Sequence, residues 1–272
     1  MVAVASPVVP PDADWNASAY RRVSGPQIAW GVEVLDRLQL RGDETVLDVG
    51  CGPGAVTRVL AERLPRGKVL GLDASPDMLA LAARELAAFG PRVQLLEATL
   101  PDLPVSSPVD AIVSSATLHF VLDHPALFRG FRRVLRPGGQ LEFQCGGRGN
   151  LHRFYARAFE LAASREYRDA FAGWSDSWYF PGPEETRERL EAAGLVEVRT
   201  WLEPRPVRYA DAAAFADFTG HVILRPLLAR LDAARAGRFT AALTEAAGCD
   251  DPPHQLEYVR LNASARAPGA GR

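Results

Sequence analysis

The sequence predicts a doubly wound α/β fold with a mostly parallel sheet and helical insertions. Three observations point there. Short apolar runs of strand length alternate with amphipathic stretches of helix length from residue 45 to residue 145. A glycine-rich turn, Gly50-Cys51-Gly52-Pro53-Gly54, joins the first strand run to the next helix. Helices between successive strands demand parallel pairing through right-handed crossovers, which sets the glycine turn at the carboxyl edge of the first strand.

Residues 1–13 are small, apolar and proline-rich and read as a flexible arm. Asp14–Leu38 has helical spacing, with Tyr20, Val23, Ile28, Val32, Leu35 and Leu38 near one face. Thr45–Val49 is a buried strand and Ala55–Leu64 an amphipathic helix. Lys68–Leu72 is the second strand; Ser75 can then cap a helix over Pro76–Ala88, with proline in its first turn. Val93–Glu97 and Ala111–Ser114 are the third and fourth strands. Pro125–Leu135 is helical and stops before Arg136-Pro137-Gly138-Gly139, and Gln140–Cys145 is the fifth strand. Residues 14–145 are thus an N-terminal lid helix and a ligand-binding core.

The alternation then breaks. Residues 146–183 carry Phe154, Tyr155, Phe159, Tyr167, Phe171, Trp174, Trp178, Tyr179 and Phe180, and read as an aromatic-rich helical cap. Residues 184–262 resume the core: a helix over Glu184–Ala193, a sixth strand over Val196–Trp201 and a seventh over Leu256–Leu261, interrupted by Ala-rich helices within 210–247. Residues 263–272 read as a flexible tail.

Composition bounds the function. The chain has 272 residues, 47% apolar and 24% charged, enough for a core without disulfide or metal support. Net charge is −2 and the isoelectric point about 6.2, and no run of basic residues exceeds two, which argues against a nucleic-acid partner. Cys51, Cys145 and Cys249 form no CxxC pair, so neither a disulfide framework nor a metal site is expected. No apolar run reaches the roughly 18 residues of a membrane span, and the N-terminus lacks a leader's basic start, so a cytoplasmic location without a membrane partner is expected. Nothing in the sequence speaks to oligomeric state.

The glycine turn lets the backbone approach a ligand closely, and the helix after it offers N–H groups to an anion. Gly50, Gly52 and Ala55 also satisfy the dinucleotide pattern G-x-G-x-x-A, so an NAD-dependent oxidoreductase is a competing reading. Two carboxylates discriminate. Asp48, just before the glycines, would repel a pyrophosphate and attract a cationic amino or sulfonium group. Asp73, ending the second strand, is placed for ribose hydroxyls.

The stretches VLDVGCGPG (46–54), GLDAS (71–75), VDAIVSSATLHF (109–120) and VLRPGGQLEF (134–143) together resemble the class I S-adenosylmethionine-dependent methyltransferases. The resemblance implies a Rossmann-like sheet of seven strands, the last antiparallel and paired with the sixth, and S-adenosyl-L-methionine converted to S-adenosyl-L-homocysteine without a metal. It implies that Asp48, Gly50, Cys51, Gly52 and Gly54 hold the methionine end, with Asp73 on the ribose, Ala74 and Met78 on the adenine face, and Ser114 at the end of the fourth strand on the cofactor side. Ala98-Thr99 replaces an acidic residue usual after the third strand, leaving the Thr99 hydroxyl or the Leu100 backbone for the adenine amine. Cys51 read alone is a small packing residue, Met78 a core residue and Asp48 a cap for local N–H groups.

The whole chain more loosely resembles the trans-aconitate methyltransferase-like group, through Trp15-x-x-x-x-Tyr20, LHFVLDH (118–124) and FTGHVILRPLL (218–228). That resemblance implies a helix over 14–30 closing on the cofactor, with Tyr20 facing it, Gln27 nearby and Trp15 on the acceptor side. His119, following the fourth strand, is the candidate catalytic residue, as proton acceptor or hydrogen-bond donor to a small-molecule acceptor; a packed histidine is the plain alternative. The group often has Gln-Trp where His119-Phe120 stand. His221 and Arg225 sit one helical turn apart, and Arg225 could grip a substrate carboxylate. Trp178 belongs to an aromatic cluster that either walls a pocket or ties the cap down. The expected reaction is methyl transfer to an oxygen, carboxylate or hydroxyl, of a metabolite or natural product. Transfer to nitrogen or carbon, and a cofactor-binding module without methyl transfer, remain as alternatives.

Overall fold

The computed structural model describes residues 25–175 and 178–269. Trp15, Tyr20, the arm and the first part of the lid helix lie outside them.

The chain divides into two compact units. The first comprises Ser24–Arg148, Trp178–Glu203 and Arg260–Arg272, and holds the sheet. Its elements follow the expected alternation: α1 (Gly25–Leu35), β1 (Thr45–Val49), α2 (Ala55–Arg63), β2 (Lys68–Asp73), α3 (Pro76–Glu85), β3 (Val93–Glu97), β4 (Val109–Ser115), α4 (His124–Val134) and β5 (Leu135–Gly146). Capping fixes two helix starts. The Ser75 hydroxyl accepts the Met78 N–H at 3.3 Å and the Asp123 carboxylate that of Ala126 at 2.9 Å, each with proline in the first turn. Strand β5 begins earlier than expected. The Pro137-Gly138-Gly139 turn is folded into it, where the register against β4 jumps from Val109–Leu135 to Ala111–Gln140.

After α6 (Pro183–Ala192) and β6 (Val196–Pro204), the second unit supplies β7 (Val207–Arg208), α7 (Ala212–Phe218), α8 (Arg225–Leu228), α9 (Ala233–Gly248) and β8 (Gln255–Leu256), together with α5 (His152–Ala162), which precedes α6 in the chain. Within that unit the two insertions pack on each other. Phe154 meets Phe215 at 5.9 Å and Tyr167 meets Phe239 at 5.1 Å, both edge to face, and Arg157 grips Asp250 through two 2.8 Å bonds.

The last strand, β9 (Val259–Arg266), returns to the sheet, whose order is β3-β2-β1-β4-β5-β9-β6, with β9 antiparallel to β5. This corrects two expectations. The seventh strand was expected at Leu256–Leu261, but Leu256 pairs with Val207 in the small β7–β8 ribbon. Residues 263–266 are sheet rather than tail, and Ala263, Ala265 and Ala267 are buried. Alanine at alternate positions faces large neighbours: Ala265 opposes Leu141, Ala263 opposes Phe143 and Leu261 opposes Cys145.

The other face of this pair is polar, with Glu142 opposite Ser264, Gln144 opposite Asn262 and Gly146 opposite Arg260. These groups satisfy one another under α1. The Ser264 hydroxyl donates to Glu142 at 2.6 Å, Gln144 Nε2 to Asn262 at 3.0 Å, and Arg37 reaches Glu142 at 3.1 Å and Asn262 at 2.8 Å.

Because β9 lies between β5 and β6, deleting residues 263–272 should abolish cooperative thermal unfolding. A truncated protein that melts like the full chain would show that this strand is dispensable.

Candidate active site

The carboxyl ends of β1, β2 and β4 carry the glycine turn and its neighbours. Gly50 and Cys51 both donate their N–H to Leu72 C=O, at 2.7 and 3.0 Å, so the turn is stitched to the end of β2. Gly50 has φ +75°, and a Cβ there would strike the Thr117 side chain; no L side chain fits. Gly52 has φ +52° and open space where a Cβ would point. Its N–H donates to the Asp73 carboxylate at 2.8 Å, and the other Asp73 oxygen accepts the Ser75 N–H at 2.9 Å. Gly54 donates its N–H to Cys51 C=O at 3.1 Å, so all four N–H groups of the turn are spent internally. The amides open to a ligand are those at the start of α2, which has no side-chain cap.

Asp48 lies near the end of β1. It is buried, and its carboxylate accepts the Thr57 hydroxyl at 2.7 Å, bracing the strand end to α2 across the turn. Burial pushes its carboxyl up to about 6, opposed by the Thr57 bond and assisted by the charge of Asp73. Asp73 is half-buried, and burial raises its carboxyl despite the backbone N–H bonds it accepts. Cys51 is buried with its sulfur against Gly71, a packing position.

Ser114 is fully buried and its hydroxyl donates to Val49 C=O at 2.7 Å, tying β4 to β1. The hydroxyl that the sheet leaves over is on Ser115, one residue on and on the opposite face. Among the described residues, Ser115 Oγ and Gln27 Oε1 are buried side-chain oxygens without a hydrogen-bond partner. Helix α1 places both at one edge, since a Cβ on Gly31 would lie 3.5 Å from Ser115 Oγ, and Gln27 stands one turn before Gly31. Strand periodicity could have separated Ser115 from Ser114, but β4 is buried on both faces and its sequence does not say which face is which.

On the expected adenine side, Met78 is buried in the first turn of α3 and Ala74 is exposed. Thr99 is exposed, with its C=O held by the Asp102 N–H at 3.0 Å, and Leu100 is half-buried.

His119 lies just beyond β4. Its Nδ1 accepts the Gly146 N–H at 3.3 Å, which assigns the proton to Nε2. Phe120 and Phe180 flank the ring at 4.2 and 5.8 Å, and the His119 C=O accepts the Tyr179 N–H at 2.7 Å. Burial, then the charges of Arg260 and His124, pull the imidazole down to about 3. The imidazole is therefore neutral at physiological pH. His124 is a packed histidine, its Nε2 2.9 Å from Leu118 C=O. Trp178 is buried at the start of the segment that brings Phe180 to His119.

His221 and Arg225 belong to the second unit. His221 is exposed, its Nδ1 3.0 Å from the Asp217 carboxylate, and it lies within a π-turn over Thr219–Ile223, whereas Arg225 begins α8. The regular helical spacing expected for this pair is therefore interrupted. Among the described residues no His, Cys, Asp and Glu grouping could hold a metal, and no helix is long and apolar enough to cross a membrane.

A carboxyl-edge glycine turn under an uncapped helix, with a ribose-placed carboxylate beside it, defines a nucleoside-cofactor site. Residues 46–139 match the methyltransferase domain family. The trans-aconitate 2-methyltransferase of Methylobacterium nodulans is 34% identical over 251 residues, spanning 86% of this chain and 90% of that one. The chain belongs to the class I S-adenosylmethionine-dependent methyltransferases, in the group that contains the trans-aconitate 2-methyltransferases. This sets the dinucleotide reading aside. Solved structures share the fold. The phosphoethanolamine N-methyltransferase 2 of Haemonchus contortus with S-adenosyl-L-methionine has a TM-score of 0.59 at 18% identity, covering 93% of this chain and 56% of that one. The [4+2]-cyclase SpnF has a TM-score of 0.58 at 21% identity, covering 89% of this chain and 82% of that one.

The Asp48 carboxyl, raised from 3.8 to about 6, binds its proton more tightly folded than unfolded. Its stabilising contribution is thus present below about pH 4 and lost as pH rises through about 6. Asp48→Asn keeps an acceptor for Thr57 and should be more stable than the parent at pH 8, by up to about 3 kcal/mol, converging with it near pH 4. Urea midpoints at the two pH values measure this. A variant less stable at pH 8 would mean that the ionised carboxylate is itself the brace.

Proposed function

We propose that the protein methylates a carboxylate oxygen of a small organic acid of the trans-aconitate type. The observation that carries this reading is the state of His119. With Nδ1 occupied by Gly146 and its pKa drawn down to about 3, it offers a hydrogen bond but no place for a proton. Phenols, amines and enolisable carbons generally need a base, whereas a carboxylate is ionised at neutral pH and attacks unaided. The relatives named trans-aconitate 2-methyltransferase support the same class of acceptor.

The residues present fit the methyl donor. The Asp73 carboxylate accepts the Gly52, Ser75 and Ala74 N–H groups and keeps a lone-pair site for a ribose hydroxyl. Gly52 gives room for close approach, the start of α2 offers donors to the methionine carboxylate, and Gln27 Oε1 and Ser115 Oγ are acceptors for its ammonium. Met78 and Ala74 line the adenine face, and the Thr99 hydroxyl stands where the acidic adenine contact is missing. When bound, S-adenosylmethionine supplies a sulfonium methyl, an electrophile that needs alignment and dryness rather than activation. The Phe120 and Phe180 rings keep the His119 edge dry, and His119 Nε2–H orients the acceptor.

Incubation with S-adenosylmethionine and trans-aconitate should give a monomethyl ester and S-adenosylhomocysteine in equal amounts, read by mass spectrometry. Acids that stay unmethylated while an amine or phenol turns over would refute the assignment. His119→Ala should lower kcat/KM about tenfold or more, the scale of one lost positioning bond in a dry site, with S-adenosylhomocysteine affinity unchanged. The wild-type pH profile should show no limb near 6.5; such a limb, absent in His119→Ala, would make His119 a base.

A further inference from the structure

Phe180 stacks beside the His119 imidazole at 5.8 Å, and the residue before it holds the His119 backbone. The Tyr179 N–H donates to the His119 C=O at 2.7 Å. One peptide earlier, the Leu118 C=O accepts from His124 Nε2 at 2.9 Å, and the His124 ring meets the Tyr179 ring edge-on at 5.3 Å. Tyr179 therefore touches both supports of the short turn Leu118–Phe120, which carries the imidazole. All these residues belong to the unit that holds the sheet.

The phenol is anchored at its far end. Its O–H donates to Glu185 Oε2 at 2.6 Å, and Arg189 lies over the ring at 5.2 Å while bonding the same oxygen at 3.3 Å. Glu185 is fixed in turn, since its Oε1 accepts the Gly182 N–H at 2.6 Å, at the start of α6, and Arg148 Nη2 at 3.1 Å. Burial raises the Glu185 carboxyl, but the bonds from Gly182, Tyr179 and Arg148 outweigh it, so the group is ionised and acts purely as an acceptor. The ring of His119 has no comparable anchor of its own. Its bond from the Gly146 N–H is long, at 3.3 Å, so the direction of Nε2–H depends on the backbone beneath the ring and the aromatic beside it. A functional group keeps its aim when packing and hydrogen bonds from supporting residues lock it, and Tyr179 supplies that support to both.

We propose that Tyr179 is a positioning residue for methyl transfer: its phenol, anchored on Glu185, holds the segment that grips the His119 carbonyl and sets Phe180 on the imidazole, and so aims His119 Nε2–H at the acceptor. The aromatic run Trp178-Tyr179-Phe180 then serves the site through its middle residue, at one remove from the reacting atoms. This rests on the donor role proposed for His119 above.

Tyr179→Phe keeps the ring and removes the bond to Glu185. With S-adenosylmethionine and trans-aconitate its kcat should fall about tenfold, the scale on which a slight misplacement costs rate, while S-adenosylhomocysteine affinity stays within about twofold. Because Tyr179 acts through His119, the same substitution made in His119→Ala should change kcat by less than about twofold, whereas a separate structural effect would multiply the two losses. Long-range proton–nitrogen correlation spectra of the histidine rings, taken at pH 7 on S-adenosylhomocysteine-saturated protein, read the imidazole directly. The parent protein should show His119 as a single Nε2–H tautomer, and Tyr179→Phe should show mixed tautomers or broadened His119 lines with His221 unchanged. If Tyr179→Phe does not fold, Glu185→Gln decides by the same spectrum, since it keeps the Tyr179 ring and weakens its anchor. Unchanged His119 signals, or losses that multiply, overturn the proposal. His119→Ala at the parent rate refutes the donor role and this proposal with it, whereas a slow His119→Ala beside unchanged His119 signals in Tyr179→Phe refutes the proposal alone.

Discussion

Asp73 accepts the Gly52 N–H at 2.8 Å and the Ser75 N–H at 2.9 Å, and the geometry of the cofactor edge hangs from those two bonds. One fixes the middle of the glycine turn and the other fixes the entry to α3, so a single carboxylate couples two loops on adjacent strands. The Leu72 C=O adds Gly50 and Cys51 to the same strand end, and Asp48 with Thr57 closes the turn onto α2. The turn is therefore rigid before any ligand arrives, and what it presents outward is the bare face of Gly52. Preorganisation of this kind removes an ordering cost from binding.

The acceptor edge is built differently. It depends on the polar ladder between β5 and β9, where Ser264 bonds Glu142, Asn262 and Arg260 bond Gln144, and Arg37 closes the outer end. The ladder delivers Arg260 and Gly146 to the edge, and Gly146 fixes the tautomer of His119. A fold shared with an N-methyltransferase and with a cyclase does not choose the chemistry. That choice rests with the few groups at this edge. In the proposed reading, the neutral His119 donor suits an anionic nucleophile, and suits poorly a nucleophile that must first lose a proton.

Much of this was legible in the sequence where burial is two-sided. Strands β1 to β4 read within a residue or two, and β1 and β4 most directly, because parallel strands covered on both faces are continuous apolar runs. The glycine turn and Asp73 were legible because only glycine tolerates those torsions and the carboxylate follows at the next strand end. Strand β9 was misplaced because its buried face is alanine and its other face is polar, a composition that also marks a tail. Its signal was the alternation Arg260, Asn262, Ser264, Arg266 set against Glu142, Gln144, Gly146, which becomes meaningful only when the two strands are paired. Arg225 drew attention through a helical spacing that a π-turn interrupts. Asp48 pointed to the right edge, but its bracing bond to Thr57 was not legible, because that distance is a matter of three dimensions.

The central claim is that Asp73 both locks the glycine turn and receives the cofactor's ribose. Calorimetric titration of S-adenosylhomocysteine into Asp73→Ala tests it most directly. The account predicts a Kd weaker by about 10- to 100-fold, the range for losing charged hydrogen bonds in a partly buried site, in a protein that still unfolds cooperatively. A Kd equal to that of the parent protein would contradict it.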